Sequence, residues 1–129
     1  TVEGLKACKS LTDNDVHVNV TLVFSTAQAI LAAKAGATYV SPFVGRVYDQ
    51  HWDGRHLIEE IADVFATHQV KTEVLAASIR EPVQVSDCFR VGADICTISV
   101  PIFYQLYKHV LTDKGIEKFD KDWQKLVGG

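Results

Sequence analysis

Three apolar stretches of the chain each run into a small polar cluster: Val18-Asn19-Val20-Thr21-Leu22-Val23-Phe24-Ser25, Tyr39-Val40-Ser41-Pro42-Phe43-Val44-Gly45-Arg46 and Val74-Leu75-Ala76-Ala77-Ser78-Ile79-Arg80. Near-continuous β-branched and aliphatic runs of this length are the mark of buried parallel strands. Residues 16–24, 38–44, 72–77 and 95–100 read as strands, and 2–11, 26–36, 54–69, 81–92, 102–109 and 113–127 as helices. Alternation of this kind implies parallel strands joined by right-handed crossovers. In α/β barrels the chemistry lies where the carboxyl ends of the strands meet the following loops. Two arginines and several hydroxyls are therefore expected to converge on one mouth.

Local chemistry supports several of these boundaries. Ser25 can cap a helix over residues 26–35, and Gly36 can end it in the left-handed conformation that other residues avoid. Gly92 repeats the device before Ala93-Asp94. In the segment 54–69, Leu57, Ile58, Ile61, Val64 and Phe65 form an apolar stripe at helical spacing, with Glu59, Glu60 and Asp63 outward. These carboxylates read as a solvated face of a scaffold helix, not as an acid/base pair.

Composition bounds the function. The chain is 47% hydrophobic and 22% charged with a net charge of −3, as in a globular domain. Its basic residues are scattered, so no nucleic-acid partner is expected, and any phosphate site must be local. No apolar run approaches the roughly 18 residues of a membrane span, and the amino end shows no basic-then-apolar signal. The expected compartment is the cytoplasm. Cys8, Cys88 and Cys96 lack CxxC spacing and read as small buried thiols. His17, His51, His56, His68 and His109 show no ligand spacing, so neither a metal nor a cofactor is expected.

The polar residues at the strand ends carry the functional argument. Asn19 and Thr21 stand two apart and point to one side of their strand, taken as the barrel interior. Asparagine is disfavoured in a buried strand unless its amide is satisfied, which argues for a role. Ser41 and Phe43 share the inward face of the next strand by the same period. Arg46 and Arg80 follow their strands closely among small or apolar neighbours, and a guanidinium can meet phosphate oxygens with two parallel hydrogen bonds. Asp49, Gln50, Trp52 and Arg55 fall in a loop after Arg46 and read as surface. Thr97 and Ser99 alternate with Cys96, Ile98 and Val100, so one set faces the interior; both read as packing residues.

The wording of these stretches resembles the small transaldolases and the fructose-6-phosphate aldolases grouped with them, from Thr1-Val2-Glu3-Gly4-Leu5 to Phe119-Asp120-Lys121-Asp122-Trp123. The resemblance implies a (β/α)8 TIM barrel that holds a ketose as a Schiff base on a lysine of the fourth strand and transfers a dihydroxyacetone unit between sugar phosphates, in the pentose phosphate pathway. A complete barrel needs roughly 200 residues or more. The 129 residues are thus expected to be one partial barrel domain, about strands five to eight, beginning just after the lysine strand. Lys6, Lys9, Lys34 and Lys71 fall on helices or at a strand's amino end and do not replace that lysine. The chain alone is expected to be inactive unless another chain supplies the remaining strands.

By the same resemblance, Asn19 hydrogen-bonds substrate hydroxyls and Thr21 holds the catalytic water. Ser41, read from strand period alone, either donates to a sugar hydroxyl or packs as a small core residue, while the motif context makes Arg46, Arg80 and Ser78 the phosphate pocket. Phe43, where the aldolases carry tyrosine, favours transfer over simple aldol cleavage, and Arg80 stands where aldolases tend to place lysine. The terminal helix, residues 113–127, would pack on a neighbouring subunit of a homo-oligomer or on its own barrel. The alternatives are fructose-6-phosphate aldolase activity, an inactive half-barrel that binds sugar phosphate or a partner fragment, or another phosphate-binding barrel.

Overall fold

The computed structural model describes residues 1–128. In chain order the elements are α1 (Val2–Thr12), β1 (Asn19–Val23), α2 (Thr26–Lys34), β2 (Tyr39–Pro42), α3 (Val44–Asp49), α4 (Gly54–Thr67), β3 (Glu73–Ala76), α5 (Pro82–Arg90), β4 (Ile95–Cys96), α6 (Val100–Leu106) and α7 (Val110–Val127). The strands form one sheet in sequence order β1-β2-β3-β4. All three pairings are parallel.

Register decides which side chains share a face. Asn19 pairs with Tyr39 and Thr21 with Ser41, while Val20, Val40 and Val74 align on the other face. That second face is the core. Val40, Val74 and Ala76 are buried beneath α2, α4 and α5, together with Ala29, Ile58 and Ile61 from the helices. The stripe expected on α4 is in place, with Leu57, Ile58, Ile61 and Phe65 buried and Val64 packed at its margin. At about 25 cal/mol per Å² of apolar surface removed from water, such a layer is what holds the helices to the sheet.

The caps behave as the sequence implies. Ser25 accepts from the Gln28 amide at 3.3 Å, Asp53 accepts from the amides of Arg55 and His56, and Gly36 ends α2 at φ +92°. Cys8 and Cys88 are buried and Cys96 is partly buried. The Cys88 thiol donates toward Cys96 and is buried, which pushes it well above its ordinary range; Cys96, accepting, is pulled down.

Three expectations are corrected. The strand expected over 38–44 stops at Pro42, and residues 44–49 are a helix, not the start of a loop. Val44 and Val47, three apart, bury one side of this short helix, a period hidden within an apolar run. The strand expected over 95–100 shrinks to Ile95–Cys96 because Pro101 presets a helical φ and α6 begins at Val100. The last helix begins at Val110 instead of 113, where the His109 ring accepts from the Leu111 amide at 3.1 Å.

The helix α7 buries none of its residues. Ile116, Phe119, Trp123 and Leu126 form a stripe along it and are 54–77% exposed. Among the described residues no helix is long and apolar enough to cross a membrane, and no group of three His, Cys, Asp or Glu side chains stands together as a metal site.

Candidate active site at the strand ends

The face of the sheet opposite the helices carries Asn19, Thr21 and Ser41. Ser41 is 2% exposed, and its hydroxyl donates to Asn19 Oδ1 at 2.7 Å. Among the described residues the Asn19 amide nitrogen has no side-chain partner, and Thr21 lies exposed beside it in register with Ser41. The expectation that Asn19 and Thr21 share a face with Ser41 matches the register; Thr97 belongs to this face too, because its neighbour Cys96 points toward α5.

Beyond Thr21 the strand is irregular. Leu22 adopts φ +57°, and the register skips it, so that Val23 pairs with Pro42. A bulge of this kind re-aims the residues that follow it. Val23 is turned into the core, and Phe24 comes to the Thr21 side, where its ring lies 5.9 Å from Phe43 at an interplanar angle of 59°. Strand period alone does not place Phe24 here, because an uninterrupted strand sends it to the opposite face. Its position is fixed from behind by Gln28, whose side-chain oxygen accepts from the Phe24 amide at 2.7 Å.

The second half of the site joins the ends of β2 and β3. The Ala77 amide donates to the Pro42 carbonyl at 2.9 Å and the Val44 amide to the Ala77 carbonyl at 3.0 Å. Gly45 packs directly on the segment after β3. A β-carbon on it would stand 1.9 Å from the Ser78 carbonyl oxygen, 2.9 Å from Ser78 Oγ and 3.0 Å from Arg80 Nε. Only glycine permits that approach. Ser78 itself holds φ +61°, a conformation costing on the order of 1–3 kcal/mol for a non-glycine residue and found most often at functional sites.

Arg46 lies exposed on α3 with its guanidinium 5.2 Å from the centre of the Phe43 ring. The short helix α3 begins at the end of β2 and carries Arg46 at the rim. Among the described residues it has no carboxylate partner. Arg80 does, because Nη1 and Nη2 donate to the two oxygens of Asp49 at 3.1 and 2.7 Å. Asp49 thus has a defined partner where the sequence suggested only surface. Gln84 completes the arrangement by accepting from the Arg80 amide at 2.9 Å. The structure brings Asn19, Thr21, Ser41 and Phe43 to one face, and Arg46, Ser78 and Arg80 to the same end of the sheet.

Such a site can do two things. The Asn19 amide and the Thr21 hydroxyl on the open face can hydrogen-bond a polyhydroxylated molecule, while two guanidinium groups at the rim can meet an anion. No lysine among the described residues lies at these strand ends; Lys71 stands before β3, and Lys6 and Lys9 pair with Glu3 and Asp13 on α1.

The chain is similar to known proteins along nearly its whole length. A probable transaldolase of Brachyspira hyodysenteriae is 53% identical over 128 residues, covering 99% of this chain and 59% of that protein. Probable transaldolases of Shouchella clausii and Cereibacter sphaeroides are 55% and 56% identical over 125 residues, each covering 97% of this chain and 58% or 57% of theirs. The chain thus spans a little under three-fifths of the length of the curated relatives it matches. Among solved structures a mandelate oxidase aligns at a TM-score of 0.57 and 18% identity, over 75% of this chain and 30% of its own; that likeness speaks for the fold alone. All residues, 1–129, match the family described as transaldolase/fructose-6-phosphate aldolase, and the chain belongs to that family.

Proposed function

We propose that this chain carries the sugar-phosphate-binding part of a transaldolase-type enzyme, forming about strands five to eight of a (β/α)8 barrel. The observation that supports this most is a parallel sheet whose open face bears Asn19 and Thr21, with two arginines just beyond the carboxyl ends of its next two strands. The reaction is the transfer of a dihydroxyacetone unit between sugar phosphates through a Schiff base, as in the pentose phosphate pathway. The Schiff-base amine and the carboxylate that moves protons lie outside residues 1–128.

Each residue has a part. Asn19 donates its amide to a substrate hydroxyl, and Ser41, itself buried, holds that geometry through its hydrogen bond to Asn19 Oδ1. Thr21 orients the water through which protons pass. Arg46, Arg80 and Ser78 bind the phosphate, whose oxygens accept the guanidinium N–H groups and the Ser78 hydroxyl. Phe43 gives the water no phenolic donor, which favours handing the unit to an aldose over its release. Phe24 backs that ring and dries the same side.

No metal or cofactor is needed by this chemistry. The three free thiols support a reducing, cytoplasmic setting. The uncovered stripe on α7 supports a homo-oligomer with this helix against a neighbouring subunit.

The test is trapping. The protein at its native length is incubated with fructose 6-phosphate and borohydride, and the intact mass and modified peptide are read by mass spectrometry. One reduced ketose on a lysine, competed by inorganic phosphate, is expected. Absence of an adduct while the protein remains folded would refute the Schiff-base reading.

A further inference from the structure

We infer that Asp49 is the positioning residue of the anion site, holding the Arg80 guanidinium where a substrate phosphate meets it; the inference deepens the phosphate-site reading above and rests on it. Asp49 ends α3, and Arg80 lies 31 residues away beyond β3, yet both carboxylate oxygens accept from its terminal nitrogens at 3.1 and 2.7 Å. The two side chains are 51% and 46% exposed. Half-exposed ion pairs contribute little to stability, because ordering two flexible side chains offsets the attraction. What a bidentate pair does supply is a fixed orientation.

Two other contacts make that orientation definite. Gln84 holds the Arg80 amide, and the missing β-carbon of Gly45 leaves room for Arg80 Nε. Backbone, stem and head of Arg80 are therefore all constrained. A guanidinium has five N–H donors, and an end-on carboxylate takes one from each terminal nitrogen, leaving three for a ligand. Arg46 adds a second guanidinium with no carboxylate partner among the described residues, so the cluster of Arg46, Arg80 and Asp49 keeps a net positive charge.

The two consequences of Asp49 have opposite signs, which makes its role measurable. As a counter-charge alone it would weaken phosphate binding, and its removal would tighten it. As a positioning residue it would strengthen binding, and its removal would loosen it.

The experiment uses the protein at its native length with Asp49→Asn, Asp49→Ala and Asp49→Glu, beside Arg80→Ala. It compares kcat and KM for fructose 6-phosphate and unphosphorylated fructose, and inhibition by inorganic phosphate. Asp49→Asn and Asp49→Ala are expected to lower kcat/KM about ten-fold more for the phosphorylated ketose, mainly through KM. Phosphate inhibition should weaken by a similar factor, and Asp49→Glu should recover part of both. The isosteric Asn variant and a melting curve separate this from misfolding. Tighter phosphate binding, or equal loss on both ketoses, would overturn the inference. If Arg80→Ala removes the preference for the phosphorylated ketose and the Asp49 variants keep it, the Asp49 role alone fails. If Arg80→Ala also keeps it, the phosphate-site reading fails and takes the inference with it.

Discussion

Gly45 is the residue on which the geometry of the rim most depends. A β-carbon there would fall 1.9 Å from a backbone oxygen, which cannot move as the tip of a flexible side chain can. Gly45→Ala should therefore cost on the order of 2–3 kcal/mol in chemical denaturation and separate the segments that carry Arg46 and Arg80. Arg46 makes a different case. Its ring contact with Phe43, and a charge with no carboxylate partner among the described residues, suit a planar guanidinium, so Arg46→Lys should raise KM for a phosphorylated ketose several-fold while changing the melting temperature little. Equal effects on phosphorylated and unphosphorylated ketoses would contradict it. At this scale a shared face was legible from strand parity: Asn19, Thr21 and Ser41 lie on the side that a period of two assigns them. Phe24 and Asp49 were not, because one depends on a bulge at Leu22 and the other on a partner 31 residues away.

The elements owe their positions to repeated local devices. Gln28 and Gln84 occupy the same place in α2 and α5, the third helical residue, and each accepts from the amide preceding the helix cap. Those amides belong to Phe24 and Arg80, so two helix starts also anchor two site residues. Gln28→Ala and Gln84→Ala should each cost about 1 kcal/mol, the usual value of a lost helix-start hydrogen bond. Gln84→Ala should in addition weaken phosphate inhibition, a readout that Gln28→Ala should not share. The alternation of strand and helix was legible because buried strands and amphipathic helices have different periods. What escaped was α3, whose six residues are too few to show one, and the early end of β4, where Pro101 overrode an apolar run that reads as strand. Both misses lie just after strand ends, where the chain turns from packing to presenting side chains.

Over the whole molecule, one sheet face is covered by helices and the other bears the polar candidates. The outer strands β1 and β4 each pair on one side only among the described residues. Unpaired strand edges tend to take up further strands. The stripe on α7 makes a similar demand on a neighbour: Phe119 and Trp123 are 72% and 64% exposed. Replacing both by aspartate at native length should shift the protein to a smaller species in sedimentation, with the sheet intact by circular dichroism. An unchanged sedimentation coefficient would assign that helix to its own subunit. The most direct test of the account is a crystal structure of the native-length protein reduced with borohydride in the presence of fructose 6-phosphate. The expected result is a phosphate held by Arg46, Arg80 and Ser78, with sugar hydroxyls on Asn19 and Thr21. A ketose bound with its phosphate away from these arginines, or bound elsewhere on the molecule, would contradict it.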